Sequence, residues 1–272
     1  MNEYKGLKWY YYQGALLPRV PPHYEVNLTK KEQKELLKLS KALFLRYTND
    51  WDRDDGEFWY VIKDKKEGLE TYKSKVRNQI KKGLKNCIVK KVDREVIANI
   101  GYEVYLEAFK NYTTFHKATS KENFQNSILK SNDEFWAVYT KDNKLIAYAN
   151  NFIEENVCHY NSMKFYPKYL YLYPSYALIY TMNEYYLNKK NSLYVNDGAR
   201  SIAHNTQIQD FLIKKFLFRK AYCKINIAYR FDIKVLIKLL YPFKNSFKKY
   251  NSYFFQKIYV LLKQEEIRRS FE

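Results

Sequence analysis

The sequence predicts a mixed α/β (α+β) protein whose sheet is mainly antiparallel, and three observations lead there. Over residues 135–165 apolar side chains alternate with a period of two in three runs, parted by polar turns at 141–144 and 154–156, which reads as an antiparallel meander. Over 193–230 the chain reads strand, polar loop, helix, strand, a crossover unit that brings loop residues to the carboxyl end of a sheet. Elsewhere apolar residues recur every three or four positions, the spacing of amphipathic helices.

Taken in order, Trp9-Tyr10-Tyr11-Tyr12 followed by Gly14 and Arg19 predicts a strand and a turn, closed by Pro21-Pro22. Thr29 and Glu32 have capping-box spacing, and Leu36, Leu39, Leu43 and Tyr47 carry the helix over 30–47. Residues 50–56 form an acidic loop and 58–62 a strand. A basic helix over 72–86 follows, with Val76, Ile80 and Leu84 as its buried stripe. Val96, Ile100, Val104 and Ala108 predict one helix over 92–111 capped by Asp93, and Phe124 and Ile128 a shorter one over 120–130. After the meander, Ser175 caps a helix reaching Tyr186. In the crossover unit Asn205 or Thr206 caps a helix presenting Ile208, Phe211, Leu212 and Phe216. Tyr222, Ile225, Ile227 and Tyr229 mark its second strand. The tail holds two basic apolar pieces, 233–240 and 254–262, broken at Tyr241-Pro242. The organisation expected is a partial N-terminal α/β unit over 1–70, a main domain over 71–230, and C-terminal basic amphipathic helices over 231–272.

A chain of 272 residues with 46% hydrophobic content can bury a full core. Its 48 Lys and Arg against 29 Asp and Glu give a net charge of +19. That excess suggests an acidic partner: a phosphate-bearing cofactor, a nucleic acid such as tRNA, or an anionic membrane touched peripherally. Joint enrichment in Lys, Asn, Tyr and Ile also fits a compositional bias that leaves a solvated lysine surface. Cys87, Cys158 and Cys223 are odd in number and far apart, which argues against a disulfide framework or zinc site and for a reducing compartment. The start Met1-Asn2-Glu3-Tyr4-Lys5 lacks a signal-peptide pattern, and no uncharged run is long enough for a transmembrane segment. A cytoplasmic protein without metal is expected. The absence of H-E-x-x-H, P-loop and Gly-x-Ser-x-Gly patterns leaves metallohydrolase, nucleotide-hydrolysis and esterase readings without support.

Chemistry concentrates in the loop of the crossover unit, where Asp197, Gly198, Arg200, Ser201 and His204 fall within eight residues. His204 titrates near neutrality and is a candidate base. Asp197, before a glycine at a strand end, is a second catalytic candidate. Arg200 suits a clamp on phosphate or carboxylate, and Tyr222 suits an acid. The same residues also fit plain roles: a helix-entry histidine, a turn carboxylate, a surface ion pair. His159 faces either a cleft or the core. On the helix at 72–86, Lys73, Lys75, Arg77, Lys81, Lys82 and Lys85 surround the apolar stripe without one acid, although solvated faces normally mix signs. Arg77 and Lys81 are therefore candidates for holding phosphates.

Three stretches resemble a known family. Ser74-Lys-Val-Arg77-Asn-Gln-Ile-Lys-Lys-Gly83 is similar to a basic S-K-x-R-x-x-I-x-x-G helix, Leu145-Ile-Ala-Tyr148 to a g-x-x-v-A strand, and Lys214-Lys-Phe-Leu-Phe218 to a K-x-x-f-G-F segment, all found in Fem-type peptidyltransferases. The order of elements over 85–230 resembles the GNAT acyltransferase fold, to which that single-domain branch is related. The resemblance implies a GNAT-like sheet with helices on both faces and transfer of an acyl or aminoacyl group to an amine acceptor. It also implies a donor cleft where the fourth and fifth strands part, with acyl-coenzyme A as co-substrate or aminoacyl-tRNA in its place. The family suggests an amino sugar of surface polysaccharide or envelope assembly as acceptor. Typical acetyltransferases grip the coenzyme A pyrophosphate with a Gln/Arg-x-x-Gly-x-Gly/Ala turn. Here no glycine stands between Gly101 and Gly198, and the equivalent turn is Tyr171-Leu-Tyr-Pro-Ser175-Tyr176-Ala177. Ser175 and Tyr176 at that helix entry are then the expected cofactor contacts, and the grip departs from the pattern. The competing class is a non-catalytic basic module that binds RNA or an anionic membrane through 73–91 and the tail.

Overall fold

The computed structural model describes residues 3–112, 117–202, 207–247 and 252–272. In chain order the elements are β1 (Glu3–Tyr4), β2 (Leu7–Tyr12), β3 (Ala15–Pro18), α1 (Lys30–Ser40), β4 (Phe44–Arg53), β5 (Trp59–Lys63), α2 (Ser74–Asn86) and β6 (Ile88–Val92). Next come α3 (Arg94–Ile100), α4 (Tyr102–Phe109), α5 (Lys121–Lys130), β7 (Glu134–Tyr139), β8 (Leu145–Glu154), β9 (Val157–Phe165) and α6 (Pro174–Asn183). The chain finishes with β10 (Tyr194–Ala199), α7 (Gln207–Phe216), β11 (Arg219–Tyr229), α8 (Phe231–Leu240), α9 (Lys244–Phe247) and α10 (Tyr253–Arg269). They gather into two units, one of Met1–Tyr60, Ala199–Gln207 and Lys220–Glu272, the other of Val61–Gly198 and Ile208–Arg219.

In the first unit the strand order is β1-β2-β3-β4-β11, with β3 parallel to β4 and the other pairs antiparallel. The predicted capping box is present: the Glu32 amide donates to Thr29 Oγ1 at 3.3 Å and the Thr29 amide to Glu32 Oε2 at 2.7 Å. The helix predicted to reach 47 ends instead at Ser40. Lys41 turns into the left-handed region (φ 56°) as the cap, and Phe44, Leu45, Tyr47 and Thr48, aromatic or β-branched in the main, enter β4. Leu45 and Tyr47 bury against Trp9, Leu16 and Leu36. Half of the expected acidic loop, through Arg53, belongs to the same strand. The second strand of the predicted crossover unit, β11, pairs antiparallel with β4 from Tyr222↔Arg53 to Tyr229↔Phe44. Ile267 of α10 closes a further cluster with Phe58, Cys223 and Ile225.

In the second unit the order is β5-β10-β9-β8-β7-β6, β5 entering at Val61. The predicted meander is there, with one strand more: β6 pairs antiparallel with β7 from Ile88↔Tyr139 to Val92↔Phe135. Five residues with two central lysines carried too little periodicity to show it. The helix predicted over 92–111 is two, α3 and α4, joined at Gly101, where a Cβ would stand 2.6 Å from the Ile97 carbonyl oxygen. Asp93 holds the N-cap position without a side-chain bond. Ile97, Val104, Phe124, Phe135 and Tyr148 form the core on this side. Leu84 and Ile100, expected inside, are exposed. Ser175 is not a cap. Tyr173, left-handed at φ 60°, takes that place, with Pro174 opening α6. Beyond Asn183 the helix loosens into a π turn, Glu184–Lys189. A mixed, mainly antiparallel α/β fold is thus what the chain adopts.

Candidate active site

β9 and β10 run parallel but pair only briefly, Val157–His159 against Tyr194–Asn196. Beyond that, β9 continues to Phe165 and β10 to Ala199. A bulge helps them part. The β8–β9 register slips between Asn150 and Asn151, which leaves Asn161 as the extra residue, and the Asn161 amide is tied to Asp133 Oδ2 at 3.1 Å. Side chains alternate along strands, so Tyr160 and Asp197 lie on one face of the parted pair, His159 and Asn196 on the other.

On the first face Asp197 is half-buried at its surface yet largely withdrawn from water. Burial pushes its carboxyl up to about 7, against the pull of a hydrogen bond with the Gln209 side chain. Among the described residues no lysine or arginine pairs with it. Beside it Tyr160 donates its hydroxyl proton to Asn183 Oδ1 at 2.7 Å. Burial, with the Asp197 charge among lesser causes, keeps that phenol neutral. Nearby carboxyl groups usually fall below their reference value when a cation or several donors reach them. Among the described residues Asp197 has one neutral partner, so desolvation wins.

On the other face the Asn196 side chain is locked. Its Oδ1 accepts the Gly198 amide proton at 2.9 Å, which directs its Nδ2 at His159 Nδ1, 3.1 Å away. Nδ1 is then the acceptor, and the ring proton is assigned to Nε2. The imidazole lies stacked on Phe152, centroids 4.3 Å apart, and burial pushes its pKa down to about 4. It is neutral at pH 7. Gly198 has φ +88° with open space around it, so backbone conformation rather than crowding calls for glycine. Asn196, Asp197 and Gly198, predicted to end the strand and open a loop, instead lie inside β10, which runs on to Ala199.

The other predicted site residues divide between the units. In the first unit the Arg200 guanidinium lies 3.9 Å over the Trp59 ring and Lys220 Nζ 4.2 Å from the same ring. Tyr222 meets that indole edge-on at 5.9 Å. Arg200 is also tied to Glu57, Nη1 to Oε2 at 3.4 Å, while its buried Nε has no hydrogen-bond partner among the described residues. His204 lies outside the described residues, as do Asn205 and Thr206. In the second unit Arg77 donates to the Glu70 carbonyl at 3.3 Å, and Lys81 is exposed. Among the described residues Lys73, Lys75, Lys81, Lys82 and Lys85 enter no ion pair. Gly83 presses α2 onto the entry of α6: a Cβ there would meet the Tyr173 carbonyl oxygen at 2.6 Å. That entry offers few donors. Pro174 has no N–H, and the amides of Tyr176 and Ala177 both bond the Tyr173 oxygen at 3.2 Å. Tyr176 itself is buried against Phe211 and Phe216, and Ser175 is half-buried. No group of three or more histidine, cysteine or acidic residues is gathered as a metal site among the described residues.

Sequence reasoning missed Tyr160, Asn183, Gln209, Trp59 and Lys220. They reach their places through strand pairing and helix packing, and no local pattern marks them.

No protein-family model matches the sequence, and no curated protein is similar to it at the sequence level. Solved structures are similar in fold. FemX superimposes with a TM-score of 0.58 at 12% identity, covering 86% of each chain. The C-terminal domain (DUF2156) of an Agrobacterium fabrum protein gives 0.51 at 11% identity over 84% of this chain and 82% of that one. L-PGS from Bacillus licheniformis gives 0.50 at 12% identity, over 97% and 86%. At such identities the likeness is one of fold, and the chain has a Fem-type fold.

Proposed function

We propose that this protein is an acyltransferase that moves an acyl or aminoacyl group onto an amine, with Asp197 as the base. The observation that carries the reading is the Asp197 carboxyl, raised to about 7 at the parting of β9 and β10 with no lysine or arginine paired to it among the described residues. A carboxylate of that basicity takes a proton from an ammonium near neutral pH, where an ordinary aspartate is too weak a base. The freed amine attacks the donor carbonyl carbon. As the C–N bond forms, the carbonyl oxygen gathers the negative charge, and collapse expels the donor thiolate or alkoxide, which takes up a proton.

Lysines on α2 that enter no ion pair among the described residues support a phosphate-bearing donor, acyl-coenzyme A or aminoacyl-tRNA. The engaged amides at the entry of α6 favour a grip by side chains such as Arg77 and Lys81 over a backbone cradle. Arg200 and Lys220, held on Trp59, are proposed as anion contacts of the first unit. The acceptor is proposed as an amine of amino-sugar type. The same lysines also suit a second reading, a basic RNA-binding module without catalysis.

Titration calorimetry with coenzyme A, acetyl-coenzyme A and charged or uncharged tRNA at two salt concentrations separates these. Saturable coenzyme A binding, or tRNA binding that depends on the aminoacyl group, supports transfer; tRNA binding indifferent to aminoacylation supports the module. With the donor identified, Asp197→Asn is expected to bind it normally and to lose turnover. Unchanged turnover contradicts the assignment.

A further inference from the structure

α8 is built unlike the other helices of its unit. Seven of its ten residues are apolar, yet only Ile237 is buried. Phe231 is 80% exposed and Leu239 64%, and Val235 and Leu236 are exposed as well. At about 100° per residue, Phe231, Val235, Leu239 and Leu236 fall in one arc of roughly 140°, with Ile237 on the back. Lys234 and Lys238 form a stripe along one border of that arc. The acid within the arc, Asp232, is held by Arg230 through two bonds of 2.7 Å, which cancels its charge locally. Phe243, in the turn after α8, and Phe254, at the start of α10, are exposed too. Exposed phenylalanine and leucine at this density mark a surface that is covered in use.

We propose that α8 docks the protein on an anionic membrane surface, the apolar arc entering the headgroup boundary and Lys234 and Lys238 meeting lipid phosphates. Charge complementarity selects this occupant. A wide apolar arc bordered by lysines on a chain of net charge +19 matches an interfacial helix. The same charge opposes a second copy of the chain through like-charge repulsion. Among the described residues no helix is long and apolar enough to cross a membrane, so α8 would lie on the surface. The proposal is independent of the transfer chemistry.

The test is co-sedimentation of the full chain with vesicles of phosphatidylcholine, with and without phosphatidylglycerol, beside sedimentation velocity without lipid. Phe231→Ser with Leu239→Ser, and separately Lys234→Glu with Lys238→Glu, change exposed residues, and thermal melts verify the fold. Binding is expected to anionic vesicles only. It should fall about a hundred-fold for the apolar pair and by at least about thirty-fold for the lysine pair, whose charges are reversed and not merely removed. No binding to anionic vesicles, equal binding to neutral ones, or binding untouched by the Phe231 and Leu239 changes overturns the proposal. So does a lipid-free dimer that those changes dissociate, which would make the face a self-interface.

Discussion

Asp197 at the end of β10 and Glu265 on α10 are both withdrawn from water, and their surroundings send them opposite ways. Glu265 is 3% exposed. Burial alone would raise its pKa, but Arg268 (2.8 and 2.9 Å), Arg269 (2.7 Å) and the Tyr229 hydroxyl (3.0 Å) all donate to it and hold it below the usual range. Asp197 meets the neutral Gln209 side chain and rises to about 7. Withdrawal from water is common to both, so it assigns no role by itself. The partners decide. Glu265, held by two guanidinium groups of its own helix and by the Tyr229 hydroxyl, ties α10 to β11; Asp197, with one neutral donor among the described residues, is the base proposed above.

The largest effect expected from that contrast is on turnover. Asp197→Asn removes the proposed base and should lower single-turnover transfer by about 10²- to 10⁴-fold, whereas Glu265→Gln should leave the rate per folded molecule unchanged. Stability should respond the other way round. Glu265→Gln strands two guanidinium groups at a buried site, and because both arginines are partly exposed the usual cost is discounted to about 2 kcal/mol in urea unfolding. Asp197→Asn should cost nothing at pH 8 and raise the melting temperature.

The pH dependence sharpens this. The Asp197 pKa in the folded protein lies above its unfolded value of 3.8, so the folded state holds the extra proton. Stability from this site is greatest in acid and declines as pH rises toward 7. The melting-temperature gain of Asp197→Asn should therefore grow from pH 4 to pH 7 and level off above. The Glu265 value lies below the ordinary one, so its stabilisation is present at neutral pH and lost as pH falls below the normal carboxylate range. Parallel melts of both variants across pH check the two signs. The smallest change tests the cause: Gln209→Lys gives Asp197 a cationic partner, as Glu265 has in Arg268 and Arg269. The acid limb of the pH–rate profile should then move down by about one pH unit.

The sequence made the meander, α2, α5 and α7 legible because their apolar periods are clean. β4 was hidden because Leu36, Leu39, Leu43 and Tyr47 keep helical spacing across a break set by Lys41, a residue with no special turn preference. β6 was too short to show a period, and the partner of β11 is fixed by pairing that no local pattern encodes. Within the site, Asn196-Asp197-Gly198 read as a strand-end turn, whereas β10 runs through it to Ala199 with Gly198 at φ +88°. The raised carboxyl was not legible, since it depends on burial that brings one neutral partner, Gln209 of α7, and no lysine or arginine among the described residues.

The most direct test is a ¹³C-carboxyl NMR titration of aspartate-labelled protein, with Asp197 assigned by its loss in Asp197→Asn. A midpoint at about 7, absent from the variant, is the result this account requires. A midpoint near the ordinary aspartate value of about 3.9 would contradict it and return Asp197 to the role of a turn carboxylate.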